Sequence, residues 1–307
     1  MRAVVTTDYG SAPALVEVET PTAGPGEVRV KVKASSLNGF DNAMTRGYLQ
    51  GMMEHRFPAV LGRDFAGTVD QTGEGVSRFA VGDEVFGVVL TMPLHAGGFA
   101  EYLVMPEDHN IAHIPAGLGH TRAGVLGLAG AAATTVIETV SPADGDAVLV
   151  SGATGGVGAV VLQLLAARGA IPIATASGEV EAAHVRSFGA RHVVDYTGDV
   201  VAQVRQLAPD GIDVVLHFAG DPHALASLLA PGGRFATLLG VVPEHDGITA
   251  HSVIANLDPS VLTGVADAVL AGRLRMPVQR SYALSEVPKA FDDFAAGTLG
   301  KLAVTID

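Results

Sequence analysis

One stretch, between residues 147 and 169, constrains the fold more than any other part of the chain. Ala147-Val148-Leu149-Val150 is an unbroken apolar run, as expected of a parallel strand covered on both faces. Ser151-Gly152-Ala153-Thr154-Gly155-Gly156-Val157-Gly158 follows, and then Val157, Val160, Val161, Leu164 and Leu165 recur at helical spacing until Gly169 stops them. Three glycines between a strand and a helix let the backbone turn tightly, approach a bound group closely and pack the helix on its strand. The helix N-terminus adds free N–H groups and partial positive charge. Gly152, Ala153, Thr154, Gly155, Gly156, Val157 and Gly158 are therefore the candidate cradle for a dinucleotide pyrophosphate. An ordinary strand–helix turn is the competing reading, and the flanking strand and helix argue against it.

The surrounding rhythm agrees. Short strands are expected at 171–176, 192–195, 213–218 and 234–239 with helical segments between them, which means a doubly wound parallel sheet. Pro172 fits only near the start of its strand. The tip of the second strand decides the form of the cofactor, because an NAD site usually carries Asp or Glu there for the ribose 2′-hydroxyl. Here Ser177 stands at the tip, and a small hydroxyl leaves room for a 2′-phosphate. NADPH is expected in preference to NADH, with Tyr196 and Arg186 as candidate supporters. Glu179 is the group that would serve NAD, and a plain loop role is the bland alternative for Ser177.

The first third reads differently. Val28-Arg29-Val30-Lys31-Val32-Lys33 alternates with period two, and further short strands are separated by Gly, Pro and Asp turns, as in a compact barrel-like domain. Near the end, Asp258-Pro259 and Gly272 bracket a helix, and Leu302-Ala303-Val304-Thr305-Ile306 is again a strand pattern. The expected division is a β-rich domain over 1–118, completed by 257–307, and a dinucleotide-binding domain over 119–256.

Composition narrows the partners. Of 307 residues 48% are hydrophobic and 17% charged, so the chain buries a core instead of staying disordered. A net charge of −13 argues against nucleic acid. There is no cysteine, hence no disulfide, no thiolate nucleophile and no sulfur-ligated zinc. The uncharged stretch 123–137 falls short of the ~20 residues of a membrane span and reads as buried helix. Met1-Arg2-Ala3-Val4-Val5 runs straight into Thr6, Thr7 and Asp8, without the pattern of a secretory signal, so a cytoplasmic protein with no membrane partner is expected.

With the glycine turn placed after a β-rich domain, the chain resembles the medium-chain dehydrogenase/reductase superfamily, in its zinc-free quinone-oxidoreductase-like branch. The residues carrying the resemblance include Gly26-Glu27-Val28, Asn38-Gly39-Phe40-Asp41, Arg46-Gly47-Tyr48 and Leu61-Gly62-Arg63-Asp64-Phe65-Ala66-Gly67. Val81-Gly82-Asp83-Glu84-Val85-Phe86-Gly87, Gly97-Gly98-Phe99-Ala100-Glu101-Tyr102, Pro231-Gly232-Gly233-Arg234 and Gly300-Lys301 follow in order. The resemblance implies an α/β protein with a GroES-like catalytic domain and a Rossmann domain, a nicotinamide site in the cleft between them, and a homodimer. Relatives often carry Thr-Ala in the helix facing the nicotinamide, where this chain has Ala132-Ala133, followed by Thr134 and Thr135.

In zinc-containing relatives the catalytic metal is held by Cys, His and Cys. The first Cys corresponds to Asn38 and the His to Arg63, so no metal site is expected; His109 and His113 lack a third ligand. Without a Lewis acid, a quinone or an α,β-unsaturated carbonyl is the easier hydride acceptor, because its developing charge spreads over an enolate. Asn38 is expected to donate to the substrate carbonyl or the nicotinamide ribose network, and Tyr48 to donate a hydrogen bond or a proton. Turn stabilisation and rim or core packing are their bland alternatives. Asp64 is expected to satisfy local backbone donors or pair with a nearby cation such as Arg63, and Asp41 to orient pocket groups, although a carboxylate near developing negative charge would oppose enolate formation. Arg63 is open between attracting an acidic substrate and forming a surface pair. A non-catalytic NADPH-binding scaffold or redox sensor with the same fold is the alternative to an enzyme.

Overall fold

Hydrophobic alternation and glycine placement act separately in two parts of the chain. A computed structural model describes residues 1–307, and they form two units: Met1–Ala129 with Leu257–Asp307, and Gly130–Asn256.

The first unit begins with β1 (Arg2–Thr6), β2 (Ala14–Glu17), β3 (Glu27–Leu37), α1 (Gly39–Thr45) and β4 (Ala59–Val60). It continues with β5 (Asp64–Thr72), β6 (Glu84–Val88), β7 (Tyr102–Pro106), β8 (Ile111–His113) and α2 (His120–Ala123). In β3 the period-two pattern is realised directly, with Val28, Val30 and Val32 fully buried and the residues between them half-buried. These valines pack with Phe65, Phe99, Met105 and Val304 in one apolar core.

The second unit receives α3 (Gly127–Val140), then β9 (Ala147–Ser151), α4 (Gly156–Ala167), β10 (Ile171–Thr175), α5 (Gly178–Ser187) and β11 (His192–Val194). It ends with α6 (Val200–Leu207), β12 (Ile212–His217), α7 (Pro222–Ala226), β13 (Leu229–Thr237) and β14 (Thr249–Ser252). Its six strands lie in the order β11-β10-β9-β12-β13-β14, all parallel, around a core that includes Leu149, Ile173, Val215 and Phe235. That is the doubly wound Rossmann arrangement. Pro172 sits second in β10. Ile171 N–H donates to Asp146 O, so the donor that Pro172 lacks would face β11, which begins only opposite Ile173.

The chain then returns to the first unit as α8 (Pro259–Leu270), β15 (Val278–Ala283), α9 (Val287–Ala295) and β16 (Lys301–Thr305). β16 pairs antiparallel with β3, Leu302 opposite Leu37 through Thr305 opposite Ala34. The larger sheet of this unit runs β15-β16-β3-β5-β6-β8, with β7 also on β3, and β2-β1-β4 forms a smaller one.

Three features differ from the sequence reading. The uncharged stretch 123–137 is broken into α2 and α3. At the break, a Cβ on Gly124 would stand 2.8 Å from the Ala34 Cβ and 2.9 Å from its carbonyl carbon, so only glycine lets the chain press onto β3. Because α2 and the first turn of α3 are held there, the division between units falls after Ala129 and not at 118. β13 starts earlier than expected, at Leu229, running through Pro231-Gly232-Gly233 with a register shift against β12, and β14 was not foreseen. No helix is long and apolar enough to cross a membrane.

Gly124→Val is expected to lower the unfolding free energy by about 1–3 kcal/mol, the usual cost of overpacking. Urea denaturation with an unchanged slope checks this; a stability equal to wild type would contradict the close approach.

Candidate functional site

In the second unit the glycine turn joins β9 to α4. Gly152 has φ +70°, and a Cβ there would lie 3.2 Å from the Phe218 carbonyl carbon. A Cβ on Gly158 would meet Ala153 Cα, Ala153 O and Gly152 O at 2.6 Å, which fixes how closely the helix packs under the turn. At Gly155 a Cβ would meet only Gly152 O, at 3.7 Å. That face is open. The three positions thus offer what a pyrophosphate cradle would need: a tight turn, an open approach and close helix packing. Gly155 caps α4 with no side chain on its N–H groups, and Gly152 N donates to Thr175 Oγ1 at 3.0 Å. Thr154 and Val157 flank the open face half-buried, and Ala153 is fully buried beneath it. The residues thus fit a dinucleotide phosphate.

At the tip of β10, Ser177 caps α5 and its N–H donates to Glu181 Oε2 at 2.7 Å. Tyr196, half-exposed, donates its hydroxyl to Glu181 Oε1 at 3.1 Å. Burial and the Glu181 carboxylate raise the Tyr196 phenol, while Thr197 and, to a smaller degree, Ser177 hold Asp195 below the ordinary carboxylate range. Arg186 reaches Glu179 at 3.8 Å, so neither expected supporter stands free at Ser177. Glu181, which ties Ser177 to Tyr196, is the residue of this candidate site that the sequence reading missed; a carboxylate one turn into a Ser-capped helix was the available signal.

The helix position discussed above is internal. Ala132 and Ala133 are buried, Thr134 Oγ1 donates to Gly130 O at 3.0 Å, and Thr135 Oγ1 donates to Ala131 O at 2.8 Å while accepting from Asn256 N at 2.9 Å. Both hydroxyls are spent on backbone.

In the first unit a buried polar cluster forms where β3 ends, α1 and β5 begin, and β16 passes. Asp64 is its hub. Its Oδ2 accepts from Ser36 Oγ at 2.5 Å, Asn38 Nδ2 at 2.9 Å and Lys301 Nζ at 3.2 Å. Its Oδ1 accepts from Leu128 N at 2.7 Å, at the start of α3, where a helix N-terminus favours an anion. Lys301 also donates to Leu37 O at 3.0 Å and to Asn38 Oδ1. The Asn38 amide is therefore engaged at both ends, its second N–H pointing to Ser36 O at 3.3 Å. The Asn38 side chain, expected to donate to substrate or the nicotinamide ribose, is bonded here to Asp64, Ser36 and Lys301.

Arg63 lies beside this cluster, fully buried, which removes the reading of a surface pair. Its guanidinium donates to Val60 O, Val89 O and Ala96 O at 2.8–3.1 Å and faces Asp41 at 3.6 Å. The expected Asp64–Arg63 pair is thus exchanged: Arg63 pairs with Asp41, and Asp64 with Lys301. Asp41 also accepts from Asn38 N and Gly62 N. Burial raises the Asp41 carboxyl to about 6, with Arg63 the strongest opposing influence, and burial lowers the Arg63 guanidinium.

Tyr48 lies outside the cluster, two-thirds exposed, with its backbone N–H on Ala43 O. Core packing is not its role. Of the segment after it, Met52 is exposed while Met53 and Phe57 pack on the core, and His55 bonds Tyr9 and Met53 O through Nδ1. His109 and His113 face separate carboxylates, Asp108 and Asp83.

Two measurements follow. Lys301→Met leaves the Asp64 charge buried without its cation and is expected to cost about 3–5 kcal/mol, much of it recovered when Asp64→Asn is added; equal stability of both variants would refute the pairing. Asp41 binds its proton more tightly folded than unfolded, so its contribution is greatest below about pH 4 and is lost as pH rises through about 6. Across that window wild type should lose up to about 3 kcal/mol relative to Asp41→Asn; a pH-independent difference in chemical denaturation would contradict it.

Residues 24–116 match the alcohol dehydrogenase GroES-like domain and residues 156–263 the zinc-binding dehydrogenase family. The chain is 31% identical to the NAD(P)H oxidoreductase RTN4IP1, mitochondrial, of Danio rerio, over 92% of this chain and 84% of that one. Identity is also 31% to a trans-enoyl reductase of Gibberella fujikuroi, with the same two coverages. Among solved structures, the quinone oxidoreductase from Coxiella burnetii superposes with a TM-score of 0.90 at 25% identity, over 100% of this chain and 99% of that one. Matches this extensive across both units leave one assignment: the chain belongs to the medium-chain dehydrogenase/reductase superfamily, in its quinone-oxidoreductase-like branch.

Proposed function

We propose that this oxidoreductase uses NADPH, without zinc, to reduce a quinone or an α,β-unsaturated carbonyl compound. The observation that carries the proposal is the Lys301–Asn38–Asp64 cluster. The positions aligned with a metal's Cys and His hold an amide and a guanidinium, and Lys301 sets an ammonium on Asn38 Oδ1 and Asp64 Oδ2. Lysine and arginine offer donors only, so this set does not fit a divalent cation. The names of relatives point the same way: a quinone oxidoreductase, a trans-enoyl reductase, and a 2-methylene-furan-3-one reductase of Solanum lycopersicum, 32% identical over 79% of this chain and 63% of that one.

A bound dihydronicotinamide supplies the hydride. The chain's own residues hold and orient. The Gly152–Gly158 turn and the α4 N-terminus take the pyrophosphate, and Ser177, with Tyr196 beside it, borders the adenosine ribose. In the first unit each buried carboxylate has a cation partner, Asp41 with Arg63 and Asp64 with Lys301, so neither presents bare negative charge to a developing enolate. Tyr48 brings an exposed hydroxyl that can donate to the acceptor oxygen. A second reading, NADH in place of NADPH, is favoured by Glu181 and Asp195 flanking Ser177, since carboxylates repel a 2′-phosphate.

A second copy of the chain is the proposed partner. β14 ends the parallel sheet with an unpaired outer edge, near exposed Val241, Val242 and Ile254.

The test is cofactor oxidation with a panel of quinones, conjugated enones and saturated ketones. Turnover is expected with the first two and at least about 100-fold less with the third, because only conjugation spreads the charge. Binding of NADPH with no turnover on any acceptor would instead identify a nucleotide-binding scaffold or sensor. Tyr48→Phe should reduce kcat/KM by at least about 10-fold at unchanged stability; an unchanged kcat/KM removes Tyr48 from the site.

A further inference from the structure

Four neighbouring parallel strands of the second unit end on buried polar residues: β10 on Thr175, β9 on Ser151, β12 on His217 and β13 on Thr237. Elsewhere these strands are almost wholly apolar inside, so polar side chains at these ends need partners. Each finds them in the loops at the carboxyl edge of the sheet, where ligands bind in open α/β sheets. Thr175 Oγ1 receives Gly152 N–H. Ser151 Oγ receives Phe218 N–H at 3.1 Å and Ala219 N–H at 3.4 Å.

His217 completes the row. It is 1% exposed and stacked on Phe235 with ring centroids 5.6 Å apart. Its Nε2 lies 3.0 Å from Gly220 O, a pure acceptor, so the proton is on Nε2. Nδ1 lies 2.9 Å from Thr237 Oγ1, and that hydroxyl accepts from Leu239 N–H at 3.0 Å. One imidazole therefore ties the loop after β12 to the loop after β13. The first of these loops lies against the cradle, since a Cβ on Gly152 would touch Phe218.

We propose that His217, through Thr237, is a positioning residue for the dinucleotide, holding the 218–220 loop against the glycine turn before the cofactor arrives. The proposal rests on the dinucleotide reading above and goes beyond it by assigning the affinity to a preset loop as well as to the turn. Preorganisation raises affinity by removing the ordering cost from the binding step. All four groups of the row are buried and bonded to loops around the glycine turn, so their loss should appear in cofactor affinity and not in acceptor recognition.

The experiment measures NADPH binding by calorimetry for wild type, His217→Phe, His217→Gln and Thr237→Val, with amide hydrogen exchange of residues 217–221 in the cofactor-free protein. Phenylalanine keeps the stack on Phe235 and removes both hydrogen bonds; glutamine restores a donor toward Gly220. His217→Phe is expected to weaken NADPH at least about 10-fold and Thr237→Val about 3-fold or more, with faster exchange at 218–220 and an acceptor KM within about 2-fold of wild type. His217→Gln should recover most of the affinity. If His217→Phe does not fold, Thr237→Val and His217→Gln decide. Affinity within about 2-fold of wild type in Thr237→Val, together with unchanged exchange, overturns the proposal, as does a loss in His217→Phe that glutamine leaves unrepaired. Wild type that binds neither NADPH nor NADH would overturn the dinucleotide reading itself, a result distinct from wild type that binds while the variants bind equally well.

Discussion

The buried Asp64 carboxylate is the interaction on which the first unit depends. Four donors from four places converge on it: Ser36 at the end of β3, Asn38 at the cap of α1, Lys301 on β16 and Leu128 at the start of α3. A buried carboxylate tolerates no missing partner, because each unsatisfied lone pair in a low-dielectric interior is costly. The cluster therefore specifies one arrangement of these elements. It also explains why the last strand of the chain belongs with the first domain, since Lys301 has no other place to put its charge.

Arg63 solves a similar problem differently. Its guanidinium is buried against three carbonyls and one carboxylate, and it holds the backbone of the 89–96 segment. Two cations and two carboxylates thus lie together inside an apolar domain in balance. Such balance suits a site in which negative charge develops on a substrate, because no excess carboxylate opposes it. The Asn38 amide joins this cluster through Asp64, Ser36 and Lys301.

The second unit arranges its polarity along an edge. The buried side chains of β9, β10, β12 and β13 are apolar until the last residue, and there Thr175, Ser151, His217 and Thr237 turn to the loops. The sheet supplies rigidity, and the terminal residues convert that rigidity into fixed loop geometry. The glycine turn provides the open surface on which a phosphate can rest.

Legibility in the sequence follows the range of each interaction. The glycine turn, the parallel strands and the helix after them were readable because their causes lie within a few residues: a positive φ, a missing Cβ, an apolar run. The break at Gly124 was hidden, because its cause is the backbone of Ala34, ninety residues away. Ser177 and Tyr196 both bond Glu181, a residue the sequence reading passed over for the more exposed Glu179. Local chemistry alone determined that this chain makes a dinucleotide-type turn on a parallel sheet beside a β-rich domain. Only the tertiary structure decided the ion pairs, since Lys301 meets Asp64 across 237 positions and Asn38 across 263. No local pattern encodes which charge is buried against which; that choice is made when the low dielectric of the folded core forces every charge to find a partner.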